Sequence, residues 1–166
     1  ALPIWTFQMP IFHKREVVRL QLQTAVEIFL KKLNYSAVIT LAGACSGILG
    51  PLVARAGKEN FDEYARRLYG ELSGQIPKRP SYSKHITQIL GIIAHKHLSG
   101  DDTDLIELDL EKLACDALIR AMVDYSKLYG DSEPFAIAFF GWVWANVDGA
   151  KVMKDYLSTP KRIRPK

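Results

Sequence analysis

The chain has 166 residues, 48% of them hydrophobic and 24% charged, which is the composition of an ordinary soluble globular domain with room for a substantial core. Its net charge of +4 is local: Lys151, Lys154, Lys161, Arg162, Arg164 and Lys166 face only Asp155 in the last sixteen residues, so the other 150 hold 16 basic and 17 acidic side chains and form a nearly neutral body. A broadly basic surface is therefore excluded, two cysteines (Cys45 and Cys115) make no zinc site by themselves, and the start lacks the basic-then-apolar order of a secretory signal.

Residues 1–13 carry Trp5, Phe7 and Phe12 between Pro3 and Pro10 and read as an irregular aromatic arm that docks on the body. Residues 14–33 read as a first helix, with Val18, Leu22, Ala25, Val26, Phe29 and Leu33 on one stripe. After a short break at Asn34-Tyr35-Ser36, with Ser36 as the expected cap, a second helix runs from Tyr35 towards Gly57. The break makes the two helices antiparallel neighbours. The second is uncharged until Arg55 and rich in small residues: Ala37, Ala42, Gly43, Ala44, Ser46, Gly47 and Gly50. Each glycine costs a helix about 1 kcal/mol relative to alanine. Close approach of other helices on several sides is the expected compensation, which places this helix at the centre. The stretch 35–54 comes nearest to a bilayer span, and Ser36, Thr40, Ser46 and the Gly/Pro interruptions hold it short of one. Pro51 lacks an N–H and predicts a kink or restart.

A more polar third helix is expected over 59–72, with Phe61, Tyr64, Ala65 and Leu68 inward, then a Gly/Pro loop over 74–83. A fourth helix is expected over 82–98, followed by an acidic turn at 99–104. The fifth, 109–129, has the clearest apolar face. Asp116, Arg120 and Asp124 stand four apart on what reads as its outer face, where they can pair with one another. Pro134 starts a sixth helix to about residue 147 that is apolar nearly all round. A helix of that kind needs cover on every side. Either a second copy of the chain supplies it, with Phe135, Phe139, Phe140, Trp142 and Trp144 as interface, or the N-terminal arm does. The organisation is thus an arm (1–13), one helical bundle (14–150) and a basic C-terminal tail (151–166). The tail is expected to be solvated and disordered. Its alternative role is a nucleic-acid or acidic-partner contact through Lys161, Arg162, Arg164 and Lys166.

Three stretches, LAGACSGILGPLVARAG, the histidine-bearing fourth helix and LDLEKLACDALIRAMVDYSKLYGDSEPF, resemble a widespread set of uncharacterised bacterial helical proteins. The shared features are an A-V-x-x-F-L helix (Ala25, Val26, Phe29, Leu30), a T-L-A-G-A stretch at 40–44 and R-A-x-x-x-Y-x-x-L-x-G at 120–130. The resemblance spans about residues 15–145 and is one of pattern. That set is similar in architecture to HEPN domains, which implies an up-and-down bundle of five to six helices that dimerises. Some HEPN proteins are metal-independent ribonucleases with toxin or defence roles, and others are non-catalytic binding or regulatory modules. The ribonucleases carry an Arg, then four to six residues, then a His. Here Leu90, Gly91 and Ile92 stand where an Arg should precede His97. The formal match, Arg79 with His85, is interrupted by Pro80 and straddles the expected helix start.

His95-x-His97 suggests a metal, with Asp101 and Asp102 (and Asp104) as oxygen ligands. Helical residues two apart point about 200° away from each other, so the expected reading is a polar helix end and a solvated acidic turn, with no metal and no cofactor. Buried free thiols are expected at Cys45 and Cys115. The sequence therefore predicts an all-α, HEPN-like bundle, cytoplasmic and homodimeric, without a membrane role. Its expected function is non-catalytic binding or regulation through a protein partner. A HEPN-type ribonuclease using Arg79, His85 or His97 is the alternative, and an RNA-binding or assembly subunit using the basic tail is the second.

Overall fold

The computed structural model describes residues 10–93, 95, 105 and 107–164. Among them the chain is all-helical, with no strand and seven α-helices: α1 (Lys14–Leu30), α2 (Tyr35–Arg55), α3 (Phe61–Ser73), α4 (Arg79–Ile89), α5 (Leu110–Tyr129), α6 (Pro134–Asn146) and α7 (Gly149–Ser158), then a short 3-10 turn at Lys161–Ile163.

α1 starts at His13, whose Nδ1 accepts the Arg15 N–H at 3.0 Å. Its stripe of Val18, Leu22, Ala25, Val26 and Phe29 is buried as the spacing requires. The helix stops at Leu30, and Lys32 then takes a left-handed backbone (φ 53°), which turns Leu33 outward to 70% exposure. α2 is capped by Asn34, whose Oδ1 accepts the Ala37 N–H at 3.0 Å; Ser36, the expected cap, lies inside the helix. Pro51 does not divide α2, which is one helix of 21 residues. By length and composition α2 is apolar enough to cross a membrane, contrary to the sequence expectation. In this fold it is the central helix, with α5 and α1 as its most extensive neighbours. Val38, Ile39, Ala42, Cys45 and Leu49 are fully buried there.

The glycines of α2 answer the question the sequence posed, but not uniformly. A Cβ on Gly43 would stand 2.7 Å from Ile92 Cγ2, so close approach explains that position. A Cβ on Gly47 would meet nothing within 4 Å, and one on Gly50 only Asn60 Nδ2 at 3.6 Å. Helix packing does not require glycine at either place.

α5 carries the largest correction. Its supposed outer face is covered by the start of α3, so Arg120 and Asp124 are buried at 6% and 3% exposure and do not pair with each other or with Asp116. Asp116 pairs with Lys112, while Arg120 and Asp124 bind α3. α6 packs one face inward. Phe139 meets Phe29 edge-on at 5.9 Å between centroids, and Trp142 meets the same ring at 4.7 Å. Of the region expected to be a disordered tail, the described residues 151–164 are folded instead. Asp148 caps α7, and the 3-10 turn docks on α3, where the Arg67 guanidinium donates to the carbonyls of Arg162 (3.0 Å) and Arg164 (2.9 Å).

Candidate functional site

α3 shows how the sequence builds a site. It is polar and buries only Gly70 fully, so apolar burial does not fix its start. Charge and hydrogen bonding do. Arg120 of α5 donates from Nε to Asp62 Oδ1 (2.8 Å) and from Nη2 to Oδ2 (2.6 Å), a planar two-point grip on the first turn of α3. Ser83 of α4 donates to the same Oδ2 at 3.1 Å. Asp124, one turn along α5, accepts the Phe61 N–H at 2.7 Å, while Asn60 accepts that of Glu63 at 2.9 Å. The first turn of α3, whose N–H groups have no partner within the helix, is thus capped partly from another helix. Burial pushes the Asp124 carboxyl up to about 6, with the Phe61 N–H opposing.

Holding the start of α3 and α4 off the glycine face of α2 leaves a cleft of about 390 Å³. Its floor is Gly43, Ser46, Gly47, Gly50, Pro51 and Ala54 of α2. Asn60, Asp62, Glu63 and Arg66 form one wall, Arg79, Tyr82, Ser83 and Thr87 of α4 the other, and Arg120 reaches in from α5. Glu63 bridges the walls: its Oε2 accepts from Arg66 at 3.0 Å and its Oε1 from Arg79 at 2.8 Å. Burial works against its charge, but these bonds outweigh it and hold the carboxyl below its usual value.

One buried polar group of the cleft is unsatisfied, and others there have bonding capacity to spare. Ser46, 5% exposed, has a buried Oγ with no hydrogen-bond partner. A buried unpaired hydroxyl costs about 1–3 kcal/mol. Arg120 commits Nε and Nη2 to Asp62 and has no partner for Nη1 among the described residues. Tyr82 likewise has no bond to its hydroxyl among them, and burial, then the nearby Asp62 charge, pushes that phenol up. Arg79 uses only Nε.

The residues singled out in the sequence scatter around this cleft. Arg79 lines it. It is the first residue of α4 rather than a loop residue, so the pair with His85 lies along one helix after all. Six positions on a helix separate the two by about 120° of rotation and about 9 Å of rise. His85 is exposed beside the Tyr82 ring and takes no part in the cleft wall. His95 holds Gly91 O through Nδ1 (2.7 Å) and Ser36 Oγ through Nε2 (3.2 Å), which engages both ring nitrogens. No group of three His, Cys, Asp or Glu suited to a metal occurs among the described residues. His97, Asp101, Asp102, Asp104, Lys166, Trp5 and Phe7 lie outside the described residues. Phe12, expected to dock, is 66% exposed.

Of the candidate interface residues, Phe135 and Phe139 sit in the chain's own core, and Phe140 and Trp142 pack half-buried against it. Trp144 is 57% exposed, with its ring against Gly149. Of the basic candidates, Arg162 pairs with Glu71 at 3.5 Å, and Arg164 donates to the carbonyls of Thr159 and Leu157 while lying over the Tyr156 ring. Lys161 is exposed. Both cysteines are free and buried, and burial raises Cys45 to about 12 and Cys115 to about 11, far from a reactive thiolate.

Sequence reasoning missed Ser46, Asp62, Glu63, Arg66, Tyr82 and Arg120 as members of one site. One signal was available: two glycines in α2 beyond those packing requires. No family model, curated protein or solved structure matches this chain.

Proposed function

We propose that this chain is a non-catalytic binding protein of HEPN-like architecture whose ligand seat is the cleft between the glycine face of α2 and the starts of α3 and α4. The observation that carries the reading is a built concavity with an unpartnered buried hydroxyl, Ser46 Oγ, and no histidine, cysteine or lysine among the described residues that line it. Such a wall can hold a ligand by charge and hydrogen bonds, and it carries neither the imidazole nor the thiol most used to move a proton or attack a substrate. The volume falls in the range of small-molecule pockets, about 300–1,000 Å³. Homodimerisation belongs to the same proposal and is read by sedimentation velocity on the full chain.

The competing ribonuclease reading draws on Arg79 and His85. Their angular separation and the engagement of Arg79 by Glu63 count against a shared phosphate within one chain. An RNA-cleavage assay on the purified chain, with Arg79→Ala, His85→Ala and His97→Ala, tests it. No cleavage above buffer is expected. Cleavage lost in any of the three variants overturns the non-catalytic reading. The tail reading has less support, because the Arg162 and Arg164 guanidiniums are engaged within the chain.

A further inference from the structure

We infer that the cleft takes a small organic anion, a phosphomonoester or a carboxylate on a compact, flat body. The inference rests on the cleft being the ligand seat proposed above and goes on to name the ligand class. Three arginines and two carboxylates line the cleft, leaving one positive charge in surplus. Each carboxylate is already engaged by guanidiniums, Asp62 by Arg120 and Glu63 by Arg66 and Arg79, so neither is free to select a cation. The groups left for a ligand match an anion instead. Arg120 Nη1 and the Arg79 nitrogens not bonded to Glu63 can only donate, the Tyr82 hydroxyl is able to, and the Ser46 hydroxyl is able to and has no partner. Ser46 is the most telling of them, since it is 95% buried in the cleft floor and has no partner of its own.

The cleft also receives the first turns of two helices. α4, of 11 residues, begins at Lys78 without any side-chain cap on its backbone N–H groups, although the Glu63 carboxylate stands at Arg79, its first residue. The remainder of the seat is shallow and apolar. Gly47, Gly50, Pro51 and Ala54 offer a floor with almost no relief, which suits a planar body and has no use for a bare ion. The open, exposed space over Gly47 leaves room for that body, and a side chain there would fill the seat.

Backbone NMR titrations of the full chain test this with four probes: phenyl phosphate and benzoate as anions, benzyl alcohol as the neutral control and benzylammonium as the cation. The anions are expected to shift the amides of Gly43, Gly47 and Gly50, with the two controls at least tenfold weaker. Arg79→Gln, at a side chain 73% exposed and so dispensable for folding, is expected to weaken phenyl phosphate about tenfold or more. Gly47→Leu is expected to abolish the shifts while melting no lower than the parent, because its side chain enters empty space. Benzyl alcohol or benzylammonium binding the cleft as tightly as the anions overturns the anion assignment but leaves the cleft a binding seat. Anion shifts that survive Gly47→Leu overturn the location. No response at these amides to any probe overturns the inference outright. Failure of the non-catalytic reading is distinguishable, since it appears in the RNA-cleavage assay and not in these titrations.

Discussion

Asp62→Asn is the sharpest test of how α3 is held. The substitution keeps the shape and removes the charge that faces Arg120, whose guanidinium is 7% exposed and has no other partner among the described residues. Removing one member of a buried pair costs about 3–5 kcal/mol, because the other charge stays desolvated. Asp62 is itself 20% exposed and water reaches it, so the lower end, about 3 kcal/mol, applies. Against a total stability of about 5–15 kcal/mol that is a large fraction. Urea unfolding followed by circular dichroism reads it directly. The companion variants are Arg120→Met and the double Asp62→Asn/Arg120→Met. If the loss comes from an uncompensated charge, the double variant recovers at least half of it, since apolar replacement of both members of a buried pair is near neutral. A single-variant loss under about 1 kcal/mol would refute the reasoning, as would strict additivity in the double-mutant cycle.

Three more expectations follow from named contacts. Asp124 titrates at about 6 in the fold against 3.8 unfolded, so the fold binds its proton more tightly and stability falls as pH rises between those values, by about 3 kcal/mol in all. Asp124→Asn should remove that component, and parallel stability–pH curves for the two proteins from pH 4 to 8 would contradict it. Gly47→Ala should raise stability by about 1 kcal/mol, as helix propensity dictates where nothing is in the way, whereas Gly43→Ala should lower it by driving Cβ into Ile92; melting temperatures moving in the same direction would undo the distinction. Arg67→Ala removes the bonds to the carbonyls of Arg162 and Arg164 and should speed tryptic cleavage after Arg162 severalfold, and an unchanged rate would show that the segment is held by other contacts.

The sequence was most legible where apolar periodicity is strong and least where polar groups do the packing. α1 and α5 show their buried stripes at the expected spacing, and α2 is central as its composition demands. The misreadings share a cause. Asp116, Arg120 and Asp124 look like a solvated ladder, because charge is a good proxy for exposure until another helix brings the complementary group. Here α3 brings Asp62 and the Phe61 N–H from about 60 positions upstream. No local pattern announces a contact of that range. The order of the tail was hidden in the same way: Lys151, Lys154, Lys161 and Arg162 are exposed as read, yet Arg67 holds the backbone carbonyls of Arg162 and Arg164, which leave no mark on composition.

The candidate site was half-legible. The glycine excess in α2 was visible, and its energetic cost called for an explanation. Helix packing was the available one, and it holds at Gly43 alone. The cleft needs a second fact, the height at which α3 sits above α2, and that height is set by the Asp62–Arg120 grip and the Asp124–Phe61 bond. The same polar contacts that hid the true setting of Arg120 and Asp124 on α5 are therefore the ones that hold the cleft open. A bundle closed by leucines at these positions would draw α3 down onto the glycine face and leave no seat. Stability at Asp62 and binding at Gly47 should consequently be coupled: the Asp62→Asn variant, at temperatures where it remains folded, should bind phenyl phosphate more weakly although Asp62 itself offers an anion nothing.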